Sequence, residues 1–294
     1  MSDQLFDTVR EPHRPRWRDN VLLRMLSEPM GALGIAMVAI IVLGAIFADF
    51  TGYSPVKLTP RDRFLDPSLL HLLGTDHLGR DLFTRVLHGA RIALGVAFVA
   101  TGISFIGGLV LGMIAGYGPR WLDSLLLLVF DSLRSFPTVM LALALVTLTG
   151  PSLGAVILVV VIANLPSYAR VARAQTMSLK ATEFVLSARS LGARSWRILA
   201  VHIMPNLVGP LLIIVAMDIP VVITIEAGMS FLGLGVRPPT PSWGSILNDG
   251  YAYIRESSWP ALAGGLPIII ATLGFTFLGE TLRDHLDPRL RQDG

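Results

Sequence analysis

The chain has no cysteine, which excludes disulfides and thiolate metal sites. Lysine is nearly absent as well: Lys57 and Lys180 are the only two in 294 residues. Neither follows a glycine and no GxxxxGK[ST] run occurs, so the chain lacks the phosphate-cradling loop of ATP-binding proteins. Only 15% of residues are charged, against about a quarter in a soluble domain. The arginines fall in separate clusters between apolar runs, not along one stripe, which argues against a nucleic-acid partner. No HExxH helix is present, and Gly228, Ser230 and Gly233 have the wrong spacing for a GxSxG nucleophile elbow.

What the chain has in abundance is apolar sequence. Hydrophobic residues make up 52% and the mean hydropathy is +0.62. Six runs are long enough to cross a bilayer, which takes about 20 residues. They lie at Pro29–Phe50, Ile92–Tyr117, Leu122–Leu148, Leu153–Val171, Leu207–Leu232 and Ala261–Leu282. The first comes after a polar tail of 28 residues and has no small-residue cleavage site, so it reads as a span and not as a signal peptide. With the N-terminus inside, the inner segments hold fifteen Arg and Lys and the outer segments eight; Arg134, within the third span, completes the 24. That bias places both termini in the cytoplasm. The expected organisation is an inner tail (1–28), a first span (29–50), an outer segment (51–91), a five-helix core (92–282) and an inner tail (283–294).

One polar break stands out between the fourth and fifth spans. Glu183 to Ser190 contains no Gly or Pro and predicts a short helix. Gly192 permits a sharp turn. Ser195 to His202 predicts a second short helix, with Trp196, Leu199 and Ile203 along one face, and Pro205 suits the first turn of the next helix. Two readings of this elbow stand side by side: a knob gripped by another protein, or an amphipathic hairpin with Arg189, Arg194 and Arg197 on lipid headgroups.

The spans carry few ionisable residues, and each is informative because such groups usually face a protein interior or an aqueous cavity. Asp131 and Arg134 lie three apart on one helical face and predict a mutually satisfied pair, or else a gate. Asp218 and Glu226 lie on the fifth span. Gly108 and Gly112 in the second span predict close helix packing. In the outer segment Asp76, Arg80 and Asp81 predict local pairing, while His71, His77, Asp81 and His88 form a loose candidate metal set. After the fifth span, Pro238, Pro239 and Pro241 stop the helix, and Trp243 and Trp259 suit a membrane interface.

The elbow sequence ARSLGARSWRILAVHIMPN, with Gly192 thirteen residues before Pro205, resembles the cytoplasmic coupling loop of ABC-importer membrane subunits. The segments LGTDHLGRD and SFLGLGVRPPTPSWG, and the Asp287–Pro288 pair, resemble the C-type permease of dipeptide and oligopeptide (and nickel) importers. In one respect the chain departs from the family: Leu186 and Ser187 stand where a glutamate and an alanine are usual, and only Ala188 fits. Glu183, one turn earlier, is a candidate stand-in for that glutamate.

The resemblance implies an all-α integral membrane protein with six transmembrane helices in the type I importer fold. It implies a coupling loop over residues 172–206, with Glu183, Ala188, Gly192, Ala193, Trp196, His202 and Pro205 toward the ATPase. It implies an outer loop in which Arg237, Pro239 and Trp243 face the binding protein, and path or gate candidates Asp131, Arg134, Asp218, Glu226 and Ser230. The implied partners are a homologous B-type permease, two ATPase subunits, an extracytoplasmic substrate-binding protein and the lipid bilayer of a bacterial or archaeal inner membrane. No cofactor, catalytic residue or nucleic acid is expected for this chain. The competing reading is an ion-coupled secondary transporter with Asp131, Arg134, Asp218 and Glu226 as its relay. It would call for internal repeats, and the sequence has no clear one.

Overall fold

The computed structural model describes residues 25–286. The arginine-rich N-terminal tail and the Asp287–Pro288 pair lie outside the described residues. Nine helices carry the fold among the described residues: α1 Pro29–Ile46, α2 Leu82–Tyr117, α3 Arg120–Arg134, α4 Thr138–Thr149, α5 Leu153–Leu179, α6 Glu183–Ser190, α7 Met204–Phe231, α8 Trp243–Ala252 and α9 Trp259–Leu286. Helical segments at Pro29–Thr51, Leu82–Tyr117, Leu153–Leu179, Ser195–Phe231 and Trp259–His285 are each long and apolar enough to cross a membrane.

The third apolar run is not one straight span. It splits into α3 and α4, which meet at 90° across Ser135, Phe136 and Pro137. Pro137 has no N–H to continue the ladder and disfavours helical geometry at the residue before it. Hydropathy alone passes smoothly over this break. The second span differs at its start. It begins at Leu82, well before the apolar run at Ile92, because the Asp81 carboxylate caps it by accepting from Thr84 N at 2.7 Å. Ser152 caps α5 in the same way at 3.1 Å, and Ser242 and Ser245 form a reciprocal capping box at the start of α8.

The most extensive packing joins α2 to α5. Glycines make it possible: a Cβ on Gly108 would strike Tyr168, one on Gly112 would strike Ala169 and Ala172, and one on Gly116 would strike Thr176. The small residues at 108 and 112 do act as a close-packing seam. Besides a small cluster of Leu82, Val86, Ile246 and Ala263, two larger buried clusters result. One runs through the middle of the bundle and includes Ala97, Val156, Val160, Val222 and Ile223. The other sits at the elbow end and joins Leu109 and Met113 of α2, Tyr168 and Ala172 of α5, and Leu207 and Leu211 of α7. Many leucines and isoleucines on α1, α2 and α9 remain exposed, as a lipid-facing surface requires.

Candidate functional site

The elbow is formed by α6, a turn at Gly192 and a lead-in to α7. Gly192 has φ +82°, the left-handed region, and its N–H donates to Arg189 O at 3.0 Å. Ala193 N closes the same turn onto Ala188 O at 3.1 Å. The second helix is not a separate short element. Ser195–Arg197 is α-helical, Ile198–Ile203 is wound as a π-helix, and the chain then continues directly into α7. A π turn takes more residues per turn than an α turn, so it rotates the residues downstream of it about the helix axis. For this reason Trp196 and Ile203, placed on one face by an α-helical count, separate: Trp196 is 65% exposed and Ile203 is fully buried. Pro205 is the second residue of α7, just after the π-helical segment ends.

Underneath, Val185, Ile198 and Ile203 are buried against Leu207 and Leu211 of α7 and against α2 and α5. Facing outward, Glu183, Leu186, Ser187, Ser190 and Leu191 line an open groove of about 580 Å³. Leu191 is 88% exposed. Glu183 and Leu186 both border this groove, three residues apart on one face of α6. Ala188, Ala193 and His202 are half-buried, with the His202 ring 6.4 Å from that of Phe184.

The ionisable residues do not assemble into one relay. Asp131 and Arg134 do not pair with each other. Both reach to α5, Asp131 to Arg170 at 2.8 Å and Arg134 to Ser167 at 3.1 Å, because the bend after α3 turns this face toward that helix. A second pair, Asp123 with Arg173, clamps α3 to α5 closer to the elbow, and Lys180 Nζ donates to Gly116 O at 3.0 Å. Sequence spacing held no sign of these cross-helix partners. Asp218 on α7 is half-buried, and the Tyr168 hydroxyl on α5 is buried with no hydrogen-bond partner among the described residues. Glu226 is fully buried; its Oε1 accepts from Ser230 Oγ at 2.7 Å, and its Oε2 has no hydrogen-bond partner among the described residues. None of these five candidates lines the apolar pocket of about 220 Å³ between α4 and α7, which is bordered by Thr138, Val139, Ala142, Ile225, Met229 and Leu232 among others.

At the opposite end, the candidate histidine–aspartate metal set is dispersed. His71 Nδ1 meets Asp81 Oδ1 at 2.9 Å, and His88 Nε2 meets Asp49 at 3.2 Å. His77 lies instead with Asp76 and Asp249, their ligand-type atoms within 4.8 Å of one another. Two guanidinium groups already neutralise those carboxylates. Arg80 is 2.7 Å from Asp76 and 3.3 Å from Asp249, and Arg85 is 3.5 Å and 3.7 Å from the same two. The cluster is a charge-balanced latch between the outer segment and α8. His77 stacks on Tyr253 at 4.9 Å, and burial pushes its pKa below the ordinary value.

The proline-rich loop leads from α7 to α8. Arg237 and Pro239 are exposed on it. Trp243 is not: it is fully buried beside Gly89, and its Nε1 donates to Val86 O. The sequence-based placements of Trp243 at a membrane interface and toward a binding protein are therefore corrected; its indole is an internal wedge between α8 and α2. Arg237 approaches Gly150, just after α4.

Residues 108–292 match the family model described as binding-protein-dependent transport system inner membrane component. The dipeptide transport system permease protein DppC of Alkalihalophilus pseudofirmus is 37% identical over 276 residues, covering 94% of this chain and 90% of that protein. The glutathione transport system permease protein GsiD of Escherichia coli O6:K15:H31 is 38% identical over 287 residues, covering 97% and 93%. Among solved structures, a chain of the MetNI methionine ABC transporter in an inward-facing conformation superposes with a TM-score of 0.57. Its 17% identity, over 69% of this chain and 96% of that one, speaks for the fold alone. The helical bundle and these likenesses agree: the chain belongs to the binding-protein-dependent transport system inner membrane components, the permease subunits of ABC transporters.

Proposed function

We propose that this permease forms half of an inner-membrane path for short peptides or similar small solutes, driven through the α6–Gly192 elbow by separate ATPase subunits. A homologous permease supplies the other half, and an extracytoplasmic binding protein delivers the solute to the face that bears Arg237 and Pro239. Both termini and the elbow lie in the cytoplasm, in keeping with the arginine bias. The chain binds no nucleotide and makes or breaks no covalent bond. The short-peptide assignment draws on relatives named for dipeptide and glutathione transport.

The observation that carries the reading is the elbow's two-sided construction. Its outer side presents Leu186 and Leu191 on an open groove and leaves Trp196 exposed, apolar surface that a soluble domain would cover. Its inner side plants Val185, Ile198 and Ile203 among residues of three spans. Close-packed interiors transmit displacement with little compression. A push or pull on α6 therefore moves α2, α5 and α7 together. Leu186 in place of the usual glutamate makes the groove more apolar, and Glu183 supplies a carboxylate on the same face. The test is uptake by proteoliposomes holding the full complex and its binding protein. Dipeptide accumulation that needs ATP is expected; accumulation driven by a proton gradient without ATP would overturn the proposal.

A further inference from the structure

The outer segment carries an exposed leucine turn that the transport reading leaves unused. Ser68 N donates to His71 O at 2.8 Å, and His71 N donates to Ser68 Oγ at 3.1 Å, closing a tight turn with Leu69 and Leu70 at its tip. Leu69 is 98% exposed, Leu70 73% and Leu72 54%. The stretch from Pro67 to Thr75 contains no Asp, Glu, Lys or Arg. The turn is not free to fold these side chains inward. His71 is held to Asp81, the cap of α2, and its ring lies 5.0 Å from that of Tyr53.

Position decides what covers this surface. Leu69, Leu70 and Leu72 share a cavity of about 230 Å³ with Thr51, at the end of the first span, and Phe83, in the first turn of the second. The leucines thus sit beside the outer end of the first span. They continue the exposed apolar surface of the first span, where Phe47 and Phe50 are outward and in edge contact at 5.8 Å. Aromatic and apolar side chains at such a level partition into the headgroup and acyl boundary.

We infer that the Ser68–His71 turn is a monotopic lipid anchor, inserting Leu69 and Leu70 into the leaflet opposite the elbow. Anchored there, it fixes the height of the Asp76–Arg80–Arg85–Asp249 latch, and with it α8, relative to the bilayer. The cysteine-free background permits a direct test. Leu70→Cys, and separately Leu69→Cys, are labelled with an environment-sensitive fluorophore in the assembled transporter; Lys57→Cys, an exposed polar position of the same segment, is the control. Each is reconstituted in nanodiscs of phosphatidylcholine with or without bromine on the acyl chains. The anchor predicts blue-shifted emission at positions 69 and 70 that brominated lipid quenches, with position 57 unaffected. Water-like, unquenched emission at 69 and 70 overturns it. So does blue-shifted emission that brominated lipid leaves intact, which would mean that a protein surface covers the turn.

Discussion

The indole N–H of Trp243 donates to the main-chain carbonyl of Val86 at 2.9 Å, joining positions 157 apart in the chain. Gly89, one turn along α2, leaves room for the ring: a Cβ there would lie 2.7 Å from Trp243 Cδ1. Together with the Arg80 and Arg85 contacts to Asp249, this fastens the start of α2 to α8. Trp243→Phe keeps most of the volume and loses one hydrogen bond, about 1 kcal/mol. Trp243→Ala leaves a cavity and costs about 3–5 kcal/mol. Thermal unfolding of the purified complex should rank wild type, Phe and Ala in that order. Gly89→Val should fall near the alanine variant; equal stability for all four would show that the wedge is idle.

Gly192 has empty space around its Cα but a backbone angle that side chains resist. Gly192→Val therefore strains the turn without a clash, and β-branched residues fare worst at positive φ. The expected result is a normal amount of protein in the membrane with loss of uptake. Gly192→Asn, which tolerates the left-handed region, should retain most of the activity. Transport by the valine variant at the wild-type rate would argue against a mechanical role for this turn.

Glu226 and Ser230 tie the end of α7 to the adjoining loop, since Ser230 Oγ also receives Val236 N at 3.4 Å. Glu226→Gln keeps an acceptor for Ser230, so subunit association in a pull-down should be unchanged. Glu226→Leu removes the acceptor and strands a buried hydroxyl, at about 1–3 kcal/mol. Collapse of the glutamine variant would show that the carboxyl does more than accept one hydrogen bond.

His77 gives the outer latch a pH response. Burial, the largest influence, lowers its pKa from the ordinary 6.5, opposed by Asp249 and Asp76 and assisted by Arg80 and Arg85. The folded state thus binds a proton less readily than the unfolded one. Stability is full above about pH 6.5, declines as pH falls through that value, and stops declining below the folded pKa. Thermal unfolding measured between neutral and mildly acidic pH should show this decline, and His77→Gln should reduce it. An unchanged profile in the glutamine variant would place the pH response elsewhere.

Much of this architecture was legible in the chain because lipid constrains sequence so tightly. Apolar runs of the required length mark spans, and glycines at 108 and 112 marked the α2–α5 seam. The turn at Gly192 comes from backbone chemistry that needs no tertiary context. What escaped were features that depend on a distant partner. Asp131 found Arg170 and not Arg134, because the bend at Pro137 redirected α3. The π-helical turns at Ile198–Ile203 shifted the register of Trp196 against Ile203, and nothing in the residue types announces such a segment. Trp243 looked like an interface residue until Gly89 supplied a slot for it. His77 parted from His71 and His88 because Asp249, far along the chain, completes its surroundings.

The elbow is central because it is where an external motor would engage the bundle. The most direct measurement uses Leu191→Cys and Trp196→Cys in this cysteine-free chain, with cysteines placed across the surface of the nucleotide-hydrolysing subunit. Disulfide capture of that subunit from the cytoplasmic side is predicted, with a yield that changes when nucleotide is bound. Labelling of the same positions from the outside of intact cells, or an elbow with no nucleotide-hydrolysing companion, would contradict it.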